Sequence, residues 1–247
     1  MTQPLTDLLL ANRASSTLID NVSDDLVPAD AAQAYKVQTA TMAALGPVGA
    51  WKVQPIPQSG EPFTSPILAS NIFADGAELK SADFNGLAME VEVAVLLGTD
   101  LPARPNPYGA ADMSKAIASV HVALEILSSR FRDRTKIPSL VAIADLQNNG
   151  GVVLGPAVSL AELPEFGQQR MTLQFDGKEA QSTETGATTS NMLQALAWLA
   201  NHAAGRGLPL KKGDVVITGA RLGPLPFSGE HVMATAEGLG TVSCRFS

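Results

Sequence analysis

Sulfur and imidazole are scarce in this chain. Of its 247 residues only Cys244 is a cysteine, which excludes an intrachain disulfide and a thiolate metal cage. The three histidines, His121, His202 and His231, show no metal-ligand spacing. Apolar runs are short: Val93 to Leu97, among the longest, falls far below the ~20 residues that cross a bilayer. Basic residues never gather into a run that could track a phosphate backbone. With 24 acids against 17 Lys plus Arg, the formal charge is -7, so neither nucleic acid nor membrane is an expected partner. The N-terminal Met1-Thr-Gln-Pro-Leu-Thr-Asp has an early acid and lacks the basic start and apolar block of a signal peptide. A cytoplasmic location is therefore expected. There is no Gly-x-Gly-x-x-Gly after a strand, no phosphate loop, no Gly-x-Ser-x-Gly elbow and no His-Glu-x-x-His, which argues against dinucleotide enzymes, P-loop hydrolases and zinc proteases.

What is present describes a compact protein. Hydrophobic residues make up 45% of the chain and charged ones 17%, far from the composition of disorder. Helices are expected over Pro4 to Asn12, with Leu5, Leu8 and Leu9 at helical spacing, and from Pro28 through Tyr35 and Met42 to a stop at Gly46. Extended segments follow: Gly49 to Pro55, Leu87 to Leu97 and Val120 to Leu127. Asp176-Gly177 marks a tight hairpin, since both residues tolerate positive φ. A helix over Ser190 to His202 and strands over Asp214 to Thr218, His231 to Ala236 and Gly240 to Phe246 complete the pattern. The expected organisation is one compact unit, a helical N-terminal segment (1–48) leading into a β-rich catalytic core (49–247).

Chemistry concentrates in Ala88-Met-Glu90-Val-Glu92-Val-Ala-Val. In a strand, Glu90 and Glu92 share one face, about 7 Å apart, with Val91, Val93 and Val95 on the other. In Val120-His-Val-Ala-Leu-Glu125-Ile-Leu127, Glu125 is a lone acid in an apolar strand. Three carboxylates brought together and buried require protons or a cation, and an all-oxygen donor set suits Mg²⁺ or Mn²⁺ better than zinc. Two alternatives stay open: a solvated face for Glu90 and Glu92, and a buried ion pair of Glu125 with Arg130 or Arg132. Lys52, in the apolar Ala50-Trp-Lys-Val, could meet an anionic substrate or simply snorkel beside Trp51. Asp75 fits either an ordinary turn or a proton-transfer group.

Taken in order, several fragments resemble the 2-keto-4-pentenoate hydratase branch of the fumarylacetoacetate hydrolase superfamily over nearly the whole chain. They are Gly49-Ala-Trp-Lys52-Val, Ile72-Phe-Ala-Asp75, Met89-Glu90-Val-Glu92-Val-Ala, Ala123-Leu-Glu125-Ile-Leu-Ser-Ser-Arg130-Phe-Arg-Asp133, Ala195-Leu-Ala-Trp198-Leu-Ala-Asn and Lys212-Gly-Asp214-Val-Val-Ile-Thr-Gly219. The resemblance implies an α+β fold, a mixed β roll with flanking helices, and a divalent metal held by Glu90, Glu92 and Glu125. It implies that Lys52 and Asp75 serve substrate binding and proton transfer. The activity it implies is Mg²⁺- or Mn²⁺-dependent addition of water to a 2-hydroxy-2,4-dienoate in aromatic catabolism. The alternatives are a 4-oxalocrotonate-type decarboxylase, an acylpyruvate hydrolase and a non-catalytic partner subunit. A small 2-oxo acid substrate and a homo-oligomer, with association to a pathway enzyme, belong to the same expectation. Two segments depart from the branch. Ala144-Asp145-Leu146-Gln147-Asn148 stands where Ala-Asp-Asn-Ala-Ser is usual, putting Asn148 in place of a substrate-side Ser, and Ser190-Asn191-Met192 replaces Gly-His-Pro.

Overall fold

The computed structural model describes residues 2–15, 17–159 and 163–247. Helix α1 spans Gln3–Ser15 and α2 spans Ala31–Leu45. The start of α2 lies past Pro28 because Asp30 caps it, accepting the Gln33 N–H at 2.8 Å, and Gly46, at φ 144°, ends it. The strands are β1 Val48–Val53, β2 Thr64–Leu68, β3 Ile72–Ala74, β4 Ala77–Leu79, β5 Ala88–Leu97, β6 Ile117–Leu127 and β7 Asn149–Leu154, then β8 Met171–Phe175, β9 Lys178–Thr183, β10 Val215–Pro226, β11 His231–Ala236 and β12 Gly240–Phe246. Three helices are interspersed: α3 Ala110–Ala116, α4 Ser139–Ala144 and α5 Thr189–Gly205, the last capped by Thr188.

These strands form two sheets. One is mixed, in the order β2-β1-β10-β5-β6-β7-β3; the other runs β4-β12-β11-β8-β9. The expected mixed roll with flanking helices is the fold observed. Alternation along β5 and β6 sends Val91, Val93, Val95, Val122, Leu124 and Ile126 into a core shared with Leu173, Val232, Ala234 and Val242 of the second sheet and with α5. The opposite face of the long sheet is built from small or β-branched side chains, Ala50, Ala94, Ala123, Val152, Val215 and Ile217. That face bears the site. A third cluster joins Leu5, Leu9, Ala34 and Val37 of the N-terminal helices to Phe131, Val141 and Ile143, so α1 and α2 pack onto α4 and share a core with the rest of the chain. Asp176 (φ 49°) and Gly177 (φ 77°) make the β8–β9 hairpin turn, in the left-handed conformation such a turn requires.

Candidate metal centre

Register brings the three glutamates together. Glu90 of β5 lies directly opposite Glu125 of β6, and Glu92 lies two residues along on the same face, opposite Ala123. One carboxylate oxygen from each of Glu90, Glu92 and Glu125 lies within 4.8 Å of the other two. Lys52 arrives from β1, with two strands between it and β6, and its Nζ donates to both oxygens of Glu125 at 2.6 and 2.8 Å. The side chain of Glu125 is fully buried, and it also accepts from Asn149 Nδ2 at 2.8 Å. Glu92 Oε2 accepts the backbone N–H of Gly219 at 2.6 Å. This last bond depends on glycine: Gly219 sits at φ 103°, and a Cβ there would stand 2.5 Å from Pro55 Cδ.

The electrostatics record unmet negative charge. Burial, reinforced by Glu125, pushes the Glu90 carboxyl up to about 7, against the opposing pull of Lys52. Burial, then the charges of Glu125 and Glu90, hold Glu92 well above the ordinary carboxylate range. Burial penalises the Lys52 ammonium, but the fields of Glu125, Glu90 and Glu92 outweigh it and keep its pKa raised. Three carboxylates and one ammonium leave two negative charges when all are ionised, the complement of a divalent cation. Oxygens around a common Mg²⁺ at about 2.1 Å stand at most roughly 4.2 Å apart, so a small inward movement of the side chains closes the set. The donors fit a hard divalent ion.

A cavity of about 510 Å³ opens over this cluster, lined by Lys52, Glu90, Glu92, Gln147, Asn148 and Gly219, with Phe63, Pro55, Arg134 and Pro224 among the other walls. The solvated-face alternative fails for Glu92, which is 1% exposed, while Glu90 is half-buried in the cavity wall. Glu125 pairs with Lys52; Arg130 instead donates to the buried Asp145, and Arg132 to Asp20. Lys52 does not snorkel: it points inward to its partner.

Of the residues singled out in the sequence, Lys52, Glu90, Glu92, Glu125 and Asn148 meet here. Asp75 does not. The Asp75-Gly76 turn carries the chain from β3 in one sheet to β4 in the other, and the exposed Asp75 carboxylate accepts from the N–H of Ser243 at 2.8 Å and its hydroxyl at 3.2 Å. The turn reading applies: Asp75 is exposed, is engaged by Ser243 and is not among the residues that line the cavity. Asn149, Gly219 and Gln147 were missed. A Gly after a strand ending in Thr218, and an Asn beginning the strand paired with β6, were the available signals. In the second departing segment, Asn191 pairs with both the N–H and the carbonyl of Ile56 at 2.9 and 3.0 Å, fixing the chain just beyond the cavity-lining Pro55. His121, also buried, is occupied structurally: Nδ1 donates to the Gly155 carbonyl and Nε2 accepts from Ser119, both at 2.9 Å.

The structure is thus a rolled pair of sheets with a glutamate cluster that could hold a metal ion, set beneath a cavity on one face of the longer sheet. The chain belongs to the fumarylacetoacetate hydrolase family, whose C-terminal domain model matches residues 30–247. Among its relatives, a 2-keto-4-pentenoate hydratase of Paraburkholderia phymatum is 34% identical over 191 residues, covering 76% of this chain and 71% of that one. A 2-keto-4-pentenoate hydratase of Dechloromonas aromatica is 31% identical over 261 aligned positions, covering 100% and 97%. The solved 4-oxalocrotonate decarboxylase from Pseudomonas putida G7, complexed with magnesium and adipate, superposes with a TM-score of 0.85 at 21% identity, covering 100% and 97%.

Proposed function

We propose that this protein is a divalent-metal-dependent hydratase that adds water to a 2-hydroxy-2,4-dienoate of the 2-keto-4-pentenoate type, in aromatic catabolism. The observation that carries the reading is the convergence of Glu90, Glu92 and Glu125, with Lys52, Glu90 and Glu92 lining one cavity. Relatives named hydratases at above 30% identity support the reaction type.

Glu90, Glu92 and Glu125 would hold the ion, Mg²⁺ or Mn²⁺. When bound, the ion supplies a Lewis acid that draws electron density from the 2-oxo acid end of the substrate. The protein's own groups do the rest. Asn149 holds the Glu125 carboxylate from one side while Lys52 holds it from the other, which fixes the direction of its oxygens. Two of the three Nζ hydrogens of Lys52 are engaged by Glu125, leaving one to donate a hydrogen bond to a substrate oxygen. Phe63, Pro55 and Leu127 give the cavity apolar wall for the distal carbons of a small dienoate and limit water there. A cytoplasmic setting and self-association belong to the same reading; no helix among the described residues is long and apolar enough to cross a membrane.

The test is turnover of a panel of 2-hydroxydienoates and 2-oxo acids with Mg²⁺, with products resolved as hydration, carbon dioxide or C–C cleavage. Hydration by the wild type, lost in Glu125→Gln and Glu90→Ala, is the expected result. Carbon dioxide or cleavage products would replace the hydratase reading with another activity, and binding of Mg²⁺ and oxalate without any turnover would indicate a non-catalytic partner subunit.

A further inference from the structure

Among the described residues, three consecutive non-glycine positions adopt left-handed backbone: Leu146, Gln147 and Asn148, at φ 57°, 52° and 58°. L-residues rarely hold this conformation, and a run of three persists only where its surroundings impose it. Here they do. Asp145, just before the run, is gripped by Arg13 and Arg130, and the Ser128 N–H donates to the Asn148 carbonyl at 2.8 Å just before Asn149 reaches Glu125.

The run turns two carboxamides to the cavity, and in each the oxygen is already engaged. Ser129 Oγ donates to Asn148 Oδ1 at 2.9 Å, and Ser65 Oγ donates to Gln147 Oε1 at 3.0 Å. The second bond uses the hydroxyl hydrogen of Ser65 and the amide oxygen of Gln147. Ser65 has one hydroxyl hydrogen, and its other neighbour, Gln38 Nε2 at 2.8 Å, can only donate. Gln38 is oriented in turn by Arg206, whose Nη1 donates to Gln38 Oε1 at 3.3 Å. The chain Arg206, Gln38, Ser65 therefore leaves the Ser65 hydrogen free for the amide oxygen of Gln147 and favours that end of the amide at the wall. Its Nε2 end has no hydrogen-bond partner among the described residues, and the side chain lines the cavity. Ser65 pairs directly with Lys52 across the β1–β2 ladder, so this free donor belongs to the Lys52 end of the site.

We propose that Gln147 is a specificity-determining residue whose Nε2 donates a hydrogen bond to a carboxylate oxygen of the bound acid, with Gln38 and Ser65 as positioning residues that hold the amide in that sense. This rests on the reading that the cavity takes a 2-oxo acid. A carboxylate accepts such a bond more strongly than a neutral oxygen does, so the residue selects the ionised acid.

The probe is oxalate, titrated calorimetrically into Mn²⁺-loaded protein. Gln147→Leu removes the donor and Gln147→Glu replaces it with an acceptor. Oxalate affinity should fall by about ten- to a hundredfold in both. Mn²⁺ affinity of Gln147→Leu without oxalate should stay within about threefold of wild type, and any KM for a turned-over acid should rise with kcat little changed. Ser65→Ala should weaken oxalate less, again with Mn²⁺ affinity preserved, and it serves as the readout should a Gln147 variant fail to fold. Unchanged oxalate affinity in the folded variants overturns the proposal, whatever the enzyme turns over. If the wild type hydrates no dienoate and Gln147→Leu still loses oxalate, the proposed reaction fails and the role of Gln147 stands.

Discussion

Asp145 should be the most expensive single charge to remove from this protein. Its side chain is fully buried and accepts from Arg13 Nη2 at 2.8 Å and from Arg130 Nε at 2.9 Å to each oxygen, while the two arginine side chains are only 16% and 7% exposed. Asp145→Asn keeps the shape and leaves two guanidiniums facing each other without an anion. Breaking a buried pair from one side costs about 3–5 kcal/mol, because the charge left behind stays desolvated. For a chain of this size each kcal/mol lowers Tm by roughly 2–4 °C, so a fall of roughly 6–20 °C is expected. Thermal unfolding followed by circular dichroism, with urea midpoints at constant m, measures it. Since Asp145 also precedes the left-handed run, oxalate affinity of the folded variant should fall too. Replacing all three residues, Arg13→Met and Arg130→Met with Asp145→Leu, should recover much of the stability. A Tm within about 2 °C of wild type for Asp145→Asn alone would refute the argument that this triad is electrostatically isolated from water.

Two further outcomes can be measured directly. Gly219→Ala drives a Cβ against Pro55 and strains the backbone whose N–H holds Glu92, so Mn²⁺ affinity by calorimetry should drop about tenfold or more with the fold retained; unaltered affinity would remove Gly219 from the site. His202, stacked on Trp198, edge-on to Tyr35 and near Arg206, is pushed down to about 4 by burial and then by the Arg206 charge. The unfolded chain takes up this proton near the ordinary value while the folded one refuses it, so stability is unaffected above about pH 6.5 and declines as pH falls from there towards 4. His202→Gln should flatten that part of the Tm profile relative to wild type, and parallel profiles would show that His202 does not titrate as described.

Much of the glutamate cluster is legible in the sequence because strand alternation is a strong constraint. Once residues 88–97 form a strand, Glu90 and Glu92 must share a face, and Glu125 in an equally apolar strand can join them by ordinary pairing. The partner of Glu125 was not legible. Lys52 reaches it from β1, with β10 and β5 lying between β1 and β6, an order that depends on long-range topology, whereas Arg130 and Arg132 are near only along the chain. Asp75 sits in a segment shared with the family, yet its position is decided by the passage of the chain between sheets. The family resemblance carried the roll itself, which hydrophobic spacing alone does not distinguish from other mixed folds. Leu146-Gln147-Asn148 carries no glycine to announce left-handed backbone; the conformation is imposed by the hold of Arg13 and Arg130 on Asp145 and by the Ser128 N–H on the Asn148 carbonyl, and Arg13 is remote in sequence.

Two residues, Asp75 and Gly76, are all that separate β3, on the edge of the longer sheet, from β4, on the edge of the shorter one. Such a short stitch leaves no slack for either layer to peel away alone. Amide protons in β7 and β12, the immediate neighbours of that stitch, should therefore exchange through a common opening event, and the molecule should come apart as a single cooperative body.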